Sequence, residues 1–397
     1  MNSSNPSFTP TSLMNPKLVN LPPSGIRKLF DIAATMEDVI SLGIGEPDFV
    51  TPWHIRNSGI HALEKGRTQY TSNAGLAQLR CEIAKYMKRR FNLTYHEANG
   101  VLVTVGGSEA IDLCMRAFIC PGDEVIVPLP SFVCYGPLAE LCGAKPVYIE
   151  MKAEDHFKLT PEALRQAITP KTKLLVLPFP NNPTGSVMTR EELMEIAKVL
   201  EGTNVMVISD EIYAELNYGP ERHVSIAEIP GMFERTIIVS GFSKAYAMTG
   251  WRLGYACASP EIIGYLTKLH QYAIMCAPTM SQFAAVEAMA NGDDDIAMMR
   301  KEYNYRRRFI VDGLNRIGLT CFEPLGAFYC FPSIQKTGMT SDEFCSKLLL
   351  EQKVAVVPGT AFGACGEGFI RISYAYSIDH IKQALSAMEK FVKEHAQ

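Results

Sequence analysis

The sequence predicts an α/β protein, with a large domain built on a mainly parallel sheet covered by helices and a smaller α+β domain. Short runs rich in β-branched residues alternate with helical patterns between residues 101 and 257, as parallel strands joined by helices do. The chain has 397 residues, more than a single compact core normally holds. After about residue 290 this alternation gives way to a long charged helical pattern, which indicates a second domain.

Residues 1 to about 20 are polar and contain proline, and we interpret them as an extended arm. Seven strands are predicted for the large domain, at 101–105, 124–127, 146–149, 173–177, 205–209, 236–239 and 253–257. Helices are predicted between them, among others at 109–118, 161–167 and 190–200. Thr160 and Thr189 precede acidic first turns, so we expect both to cap helices.

The C-terminal part predicts a helix at 296–313, strand-like segments at 326–331, 354–357 and 369–373, a helix near 341–351 and a terminal helix. No internal repeat, low-complexity tract or long linker interrupts the chain.

Composition excludes several classes of protein. Hydrophobic residues make up 47% and charged residues 20%, and the formal charge of -4 offers no basic surface for nucleic acid. No apolar run reaches the roughly 20 residues that span a membrane, and the first residues lack the features of a signal peptide. The eleven cysteines are scattered without C-x-x-C, and the eight histidines lack ligand spacing. We therefore expect reduced cysteines, no metal and a cytoplasmic location.

The most informative segment is 240–254, Ser-Gly-Phe-Ser-Lys-Ala-Tyr-Ala-Met-Thr-Gly-Trp-Arg-Leu-Gly. Lys244 follows an apolar strand, with Ser243 beside it and Arg252 eight positions on. A buried lysine near positive charge loses its proton and becomes a nucleophile, while an arginine and a hydroxyl suit a phosphate dianion. An amine beside a phosphate anchor is what pyridoxal phosphate requires. Taken alone, "Ser-Lys" also fits a surface lysine on an ordinary βα unit.

Five further segments fit this chemistry. Gly107 and Ser108 stand in a strand-to-helix turn, where free N–H groups favour phosphate, although such turns are common. Phe132 follows a strand and offers a ring for stacking, but it also fits a core position.

Neither the turn with Gly107 and Ser108 nor Gly43-Ile44-Gly45 forms a dinucleotide fingerprint, which excludes a nicotinamide dehydrogenase.

Polar residues follow two other strands. Asn182 lies in the Asn-Asn-Pro-Thr-Gly loop 181–185, which is either an ordinary turn or a source of an amide directed at a ring oxygen. Asp210 could keep a pyridinium nitrogen protonated, with Glu211 as the competing carboxylate and Tyr213 as a donor to the ring hydroxyl; a helix cap is the alternative. Arg371 lies within an apolar strand and needs an anion, either a substrate carboxylate or a structural partner.

Together and in this order, the segments resemble the class I aminotransferases of pyridoxal-phosphate fold type I, especially bacterial aromatic or broad-specificity members of the aspartate aminotransferase superfamily. The resemblance covers nearly the whole chain from about residue 24, including 40–49, Ile-Ser-Leu-Gly-Ile-Gly-Glu-Pro-Asp-Phe. It implies a homodimer with shared active sites. It also implies an arm and part of the small domain at 1–48, a large cofactor-binding domain at 49–290 and a small C-terminal domain at 291–397.

The resemblance also implies roles. Lys244 forms the Schiff base and shuttles the proton, Asp210 pairs with the pyridine nitrogen, and Tyr213 and Asn182 contact the ring oxygen. Phe132 stacks on the ring, and Tyr70 reaches the phosphate of the neighbouring subunit. The remaining cofactor-binding residues, mostly around the phosphate, are Gly107, Ser108, Glu109, Ser243 and Arg252; the α-carboxylate of the substrate is bound by Gly45, Asn182 and Arg371.

Two departures from the family pattern stand out. Gly241 occupies a position where some relatives carry a phosphate-binding serine. Ser108 replaces a lysine that an aspartate-preferring bacterial branch uses for the distal carboxylate, which argues against aspartate. Together with the segment 24–28, Ser-Gly-Ile-Arg-Lys, and Tyr329, this favours aromatic or broad neutral donors, with 2-oxoglutarate as acceptor.

Two other functions stay open on the sequence. A carbon–sulfur β-lyase would use the same cofactor but release ammonia without an oxo-acid acceptor. A non-catalytic amino-acid sensor would need a DNA-binding appendage, and the N-terminal segment offers none.

Overall fold

The structure, a computed structural model, describes residues 9–21 and 36–395. Its central feature is a sheet of seven strands, which confirms the predicted fold class. The strands of this sheet and of the smaller sheets, in chain order, are β1 (Ile40–Ser41), β2 (Val101–Thr104), β3 (Glu124–Leu129), β4 (Lys145–Glu150), β5 (Thr172–Leu177), β6 (Met206–Asp210), β7 (Thr236–Gly241), β8 (Gly254–Cys257), β9 (Tyr329–Cys330), β10 (Val354–Ala355), β11 (Val357–Pro358) and β12 (Ile370–Ser373).

The large sheet has the order β2-β8-β7-β6-β5-β3-β4. Strand β8 is antiparallel to both of its neighbours, and all other pairs in this sheet are parallel. Because parallel strands end at the same edge, the segments that follow β5, β6 and β7 meet there. Asn182 follows β5, Asp210 is the last residue of β6 and Lys244 follows β7.

Helices cover both faces of this sheet, and others lie in the C-terminal part of the chain. The bounds of all described α-helices are Pro16–Asn20, Trp53–Glu64, Ala77–Phe91, Gly106–Phe118, Tyr135–Cys142, Pro161–Ala167, Arg190–Leu200, Pro260–Ala273, Thr279–Asn291, Asp293–Arg316, Ser341–Gln352 and Ile378–His395. The predicted helices 161–167 and 190–200 are confirmed, and so are their caps: Thr160 accepts a hydrogen bond from the Ala163 N–H, and Thr189 forms a capping box with Glu192.

The sheet is apolar on both faces, as a parallel sheet between helix layers must be. Ile126, Leu175 and Val207 face one core cluster, whereas their chain neighbours Val125 and Leu174 face another. This alternation follows from the two-residue period of a strand. Because the sheet is packed on both faces, the side chains at its edge are held in fixed positions.

A further core cluster is built mainly from residues after 298, and it also contains Leu42 from the N-terminal segment. Strand β1 pairs in parallel with β10, while β11, β12 and β9 form an antiparallel sheet. The long helix Asp293–Arg316 joins two clusters, because Ile296 packs with the large-domain core and Met299 with this one.

Three local expectations differ from the structure. Residues 10–13 and 16–20 form short helical turns rather than an extended arm, since Pro16 fits the first helical position and Asn15 caps it by accepting from the Lys17 N–H. The predicted strand 326–331 is reduced to β9, and 354–357 is divided into β10 and β11. The segment 24–28 lies outside the described residues. Within the described chain, no helix is long and apolar enough to cross a membrane.

Candidate active site

A cavity of about 730 Å³ opens at the carboxyl edge of the large sheet, next to the segment 43–46. It contains most of the side chains that the sequence singles out. Those that line it are Gly45, Gly107, Ser108, Phe132, Asn182, Asp210, Tyr213, Ser243, Lys244, Arg252 and Arg371. Glu109 and Tyr70, by contrast, do not line it. Its size suits a cofactor with a small substrate.

Lys244 follows β7 and directs its amine into this cavity. Its Nζ donates a hydrogen bond to the carbonyl oxygen of Gly45 at 2.7 Å and lies 5.9 Å from the Tyr213 ring centre and 5.8 Å from that of Phe328. Desolvation lowers the pKa of Lys244 to about 8, and the charges of Arg371 and Arg252 act in the same direction. The amine is therefore available as a nucleophile near neutral pH.

Asp210 ends β6 and is buried at the cavity wall. Its carboxylate accepts hydrogen bonds from the Tyr135 hydroxyl at 2.6 Å and from the Ile212 N–H at 3.2 Å. Burial raises the pKa of Asp210, while these two hydrogen bonds act against that shift. A cationic ring nitrogen beside this carboxylate would find a fixed, partly desolvated partner.

The competing carboxylate, Glu211, points away from the cavity. Its Oε1 accepts from the Ser209 hydroxyl at 2.8 Å and from the Ser225 hydroxyl at 2.6 Å, and His223 Nε2 lies 3.0 Å from Oε2. Successive side chains of a strand face opposite sides, so only one of the two acids can line the cavity. The structure thereby separates two residues that the sequence leaves as alternatives.

Tyr213 and Tyr329 share a hydrogen bond between their hydroxyls, which are 2.9 Å apart. Both side chains are buried and both line the cavity, and burial raises the pKa of each phenol. The Tyr329 hydroxyl also lies against Gly45, where a Cβ would collide with it. A neutral phenol at Tyr213 is suited to donate to a ring oxygen.

The turn before the helix Gly106–Phe118 forms a cradle for an anion. Gly106 has φ +75°, and a Cβ there would lie 2.7 Å from Arg252 Nη2, so the guanidinium stands directly beside the turn. A Cβ at Gly254 would lie 2.6 Å from the Gly107 nitrogen, which shows how closely β8 supports the turn. Free helical N–H groups, Ser108, Ser243 and a guanidinium fit a phosphate dianion.

Two predicted site residues have other surroundings. Glu109 turns its carboxylate behind the turn, where it accepts from the Val105 N–H at 2.5 Å and lies 2.7 Å from His270 Nδ1. Tyr70 is 81% exposed, which leaves it free to reach a neighbouring subunit.

Arg371 enters the opposite side of the cavity from β12. Ile370 and Ile372 pack into the core around Leu42, so the alternation of the strand directs Arg371 to the other face. The guanidinium is buried, donates to Asn182 Oδ1 at 3.0 Å and to the Gly43 carbonyl at 2.5 Å, and lies between the rings of Tyr329 and Phe362. Desolvation lowers the pKa of Arg371.

No carboxylate among the described residues forms an ion pair with Arg371, and its buried Nε has no hydrogen-bond partner in that part of the chain. A buried guanidinium without a counter-ion is costly, and an incoming carboxylate would satisfy it with two parallel hydrogen bonds. This arrangement distinguishes an anion-binding arginine from a structural ion pair.

Sequence reasoning missed two contributors. Tyr135, which bonds Asp210, stands three residues after Phe132, and its ring packs edge-on against that of Phe132 at 6.2 Å. Glu46 also lines the cavity and accepts from the Thr249 hydroxyl at 3.2 Å. Tyr135 gave a weak signal, a second aromatic ring one turn beyond the first, whereas Glu46 gave none beyond its place in the 40–49 motif.

Comparisons with known proteins agree with this geometry. A family model described as aminotransferase class I and II matches residues 37–388. A putative aminotransferase of Bacillus subtilis (strain 168), YugH, is 52% identical over 382 residues, covering 96% of this chain and 99% of that protein. An aspartate aminotransferase of Pyrococcus abyssi is 46% identical over 383 residues, covering 96% of this chain and 98% of that protein.

A solved aromatic aminotransferase from Pyrococcus horikoshii OT3 superposes with a TM-score of 0.88 at 44% identity, covering 92% of this chain and 99% of that one. The fold type, the enzyme class and the cofactor expected from the sequence are thus confirmed. The chain belongs to the class I and II aminotransferases and is a transaminase of fold type I that uses pyridoxal phosphate.

Proposed function

We propose that this aminotransferase accepts aromatic or broad neutral amino acids as donors and 2-oxoglutarate as the acceptor. The observation that carries the proposal is the buried guanidinium of Arg371, which has no counter-ion among the described residues and lines the same cavity as the Lys244 amine. An amino acid bound by its α-carboxylate at Arg371 would present its amino group and Cα toward Lys244.

The rest of the cavity supports a neutral side chain. Its lining is largely apolar and includes Ile44, Ile111, Phe132, Pro180 and Tyr329. Among the described residues, the cations that line the cavity are Lys244, Arg252 and Arg371, and each already has a proposed partner. A dicarboxylate acceptor needs a further cation, so this part of the proposal requires one from outside the described residues or from a partner subunit.

The proposed roles follow from the geometry. Asp210 would hold the ring nitrogen as a cation, Tyr213 and Asn182 would bind the ring oxygen, and Phe132 would cover the ring face. Gly107, Ser108, Ser243 and Arg252 would bind the phosphate. When bound, pyridoxal phosphate supplies an electron-withdrawing ring that accepts the negative charge developing at the substrate Cα.

Lys244 would act as both nucleophile and proton carrier. Its pKa of about 8 leaves about half of the amine neutral at pH 8, so it can attack a carbonyl carbon and later accept a proton from Cα. Arg371 would fix Cα by gripping the carboxylate, and the buried cavity walls would exclude water from the amine.

We also infer the domain boundaries and the assembly. The packing of Leu42 and β1 with residues after 298 supports a small domain made of the segment before about 48 and of residues 291–397. The exposed Tyr70 supports a homodimer in which each subunit completes the active site of the other.

A panel of twenty amino acids, each with 2-oxoglutarate, tests the substrate proposal by measuring glutamate formation. We expect kcat/KM to be highest for aromatic or other neutral donors and at least about tenfold lower for aspartate. Its side chain is one carbon shorter than that of 2-oxoglutarate, so its second carboxylate would lie among the apolar lining residues, short of the cation that the acceptor requires. Higher kcat/KM for aspartate would contradict the proposal. Ammonia released without an added oxo acid would identify a β-lyase instead.

A further inference from the structure

Behind the phosphate turn, Glu109 links the helix Gly106–Phe118 to the helix Pro260–Ala273. One carboxylate oxygen accepts from the Val105 N–H at 2.5 Å, and the other lies 2.7 Å from His270 Nδ1. His270 has no exposed surface, and neither side chain lines the cavity. The two residues thus form a buried contact directly behind the proposed phosphate site.

The hydrogen-bonding state of this pair follows from its chemistry. A carboxylate only accepts hydrogen bonds, so the Nδ1–H of His270 donates to Glu109. The other nitrogen, Nε2, is buried without a hydrogen-bond partner in the described chain. Glu109 is therefore the one polar contact that compensates for burying the ring within that part of the protein.

The link acts on the backbone that would hold the phosphate. The first N–H groups of a helix have no partner inside the helix, and here these belong to Val105, Gly106, Gly107 and Ser108. Glu109 occupies the Val105 N–H, which lies farthest from the helix body. The N–H groups of Gly107 and Ser108 are left for an anion, next to the guanidinium of Arg252.

The carboxylate of Glu109 is also placed favourably. Glu109 lies in the first turn of its helix, where a negative charge is stabilised, and His270 lies in the last turn of the other helix. A carboxylate turned toward the cavity would repel a phosphate dianion. Because His270 and Val105 hold it behind the turn, this repulsion is reduced.

We propose that Glu109 and His270 are positioning residues that hold the Val105–Ser108 turn in its phosphate-binding conformation. This inference rests on the proposed binding of the cofactor phosphate by Gly107, Ser108 and Arg252. It assigns the side chain of Glu109 to bracing the turn and not to contacting the cofactor.

The test measures binding to the cofactor-free protein, by absorbance, of pyridoxal phosphate and of pyridoxal, which lacks the phosphate. His270→Leu removes the donor and keeps an apolar side chain, whereas His270→Asn retains a donor near the Nδ1 position. Thr267→Val, one turn earlier on the same helix, is the matched control, because its hydroxyl donates to the Ile263 carbonyl of its own helix and makes no bond to the phosphate turn.

We expect His270→Leu to raise the Kd of pyridoxal phosphate about tenfold, the usual effect of losing a charge-assisted hydrogen bond, and to change that of pyridoxal less than about twofold. His270→Asn should restore most of the affinity, and Thr267→Val should leave both values unchanged. The inhibition constant of inorganic phosphate, measured by its competition with pyridoxal phosphate, should rise in His270→Leu in parallel.

Equal losses for both compounds, or unchanged affinity for pyridoxal phosphate, would overturn the inference. If His270→Leu does not fold, Glu109→Met carries the same test with the same expected result. Arg252→Ala tests the phosphate site separately from the positioning role: if it does not weaken phosphate binding, the proposed phosphate site fails. If it does and His270→Leu does not, only the positioning role fails.

Discussion

At the scale of single residues, the buried amine of Lys244 dominates the chemistry. Its Nζ donates to the Gly45 carbonyl in a cavity that also contains two guanidinium groups, so protonation is costly there. The folded protein releases this proton near pH 8, whereas the unfolded chain retains it up to about pH 10.5.

This difference predicts how stability depends on pH. Between pH 8 and 10.5 the unfolded state binds more protons, so the free energy of unfolding of the cofactor-free protein should rise with pH relative to that of Lys244→Met. The rise should reach up to about 3 kcal/mol, at roughly 1.4 kcal/mol per pKa unit. Urea unfolding at pH 7.5, 8.5 and 9.5 measures it, and a pH-independent difference between the two proteins would contradict it.

Arg371 allows a second prediction at this scale. Arg371→Ala should weaken binding of the donor's α-carboxylate by about 2 kcal/mol or more, because a desolvated charge pair is lost. We expect this as a rise in KM of roughly thirtyfold, measured by steady-state kinetics with a good donor. Arg371→Lys keeps the positive charge but cannot make two parallel hydrogen bonds to a carboxylate. Its KM should therefore lie between those of the wild-type protein and of Arg371→Ala. An unchanged KM in Arg371→Ala would rule out the proposed contact.

Most of the residues that the sequence singles out line one cavity, since they stand where strands end at one edge of the sheet: Asn182 after β5, Asp210 at the end of β6 and Lys244 after β7. The sequence could not separate Asp210 from Glu211, because both are acids at a strand end and only the direction of each side chain decides. It also gave no reason for Tyr135 to bond Asp210, since that contact crosses 75 residues.

At the scale of elements, His54 joins three helices. Its Nδ1 lies 2.8 Å from Glu287 and its Nε2 lies 2.9 Å from Asp295, so both nitrogens can donate only when the ring is protonated. Desolvation lowers the pKa of His54, but the hydrogen bonds to Asp295 and Glu287 outweigh it, and the pKa is raised above 6.5.

The pair of contacts should therefore stabilise the protein at acidic pH. Their contribution is fully present below pH 6.5 and is lost as the pH rises through the folded pKa. His54→Gln should lower the free energy of unfolding at pH 6 more than at pH 9, by less than about 1 kcal/mol since the ring is partly exposed. His61→Gln, on the exposed side of the same helix, is the control in the same thermal unfolding series.

Elements with strong local signals were predictable. Helix bounds at 161–167 and 190–200 were fixed by threonine caps and acidic first turns. The C-terminal strands were not, because β9, β10 and β11 have two residues each and exist through pairing with distant segments such as β1. Local propensity carries little information about such pairing.

At the scale of the whole molecule, the exposed Tyr70 predicts active sites shared between two subunits. Lys244→Ala and Tyr70→Ala should each reduce activity as homodimers, because each removes one group from both sites. In a hybrid dimer one site keeps both groups, so mixing and re-associating the two variants one to one should recover about a quarter of the wild-type activity.

The measurement is transaminase activity before and after reversible dissociation of the mixed variants. Each variant, dissociated and re-associated alone, is the control for the procedure. If the mixture stays as inactive as its components, Tyr70 does not act across the interface.

The contact between Gly45 and the Tyr329 hydroxyl constrains the order in which substitutions can accumulate. Alanine at 45 collides with the hydroxyl oxygen, but the ring carbon behind it is 3.4 Å away, an ordinary contact distance. Gly45→Ala alone should therefore destabilise the folded structure, whereas the same substitution should be tolerated in Tyr329→Phe. In evolution and in engineering, Tyr329→Phe, which removes the oxygen, must therefore precede Gly45→Ala, which adds the methyl group.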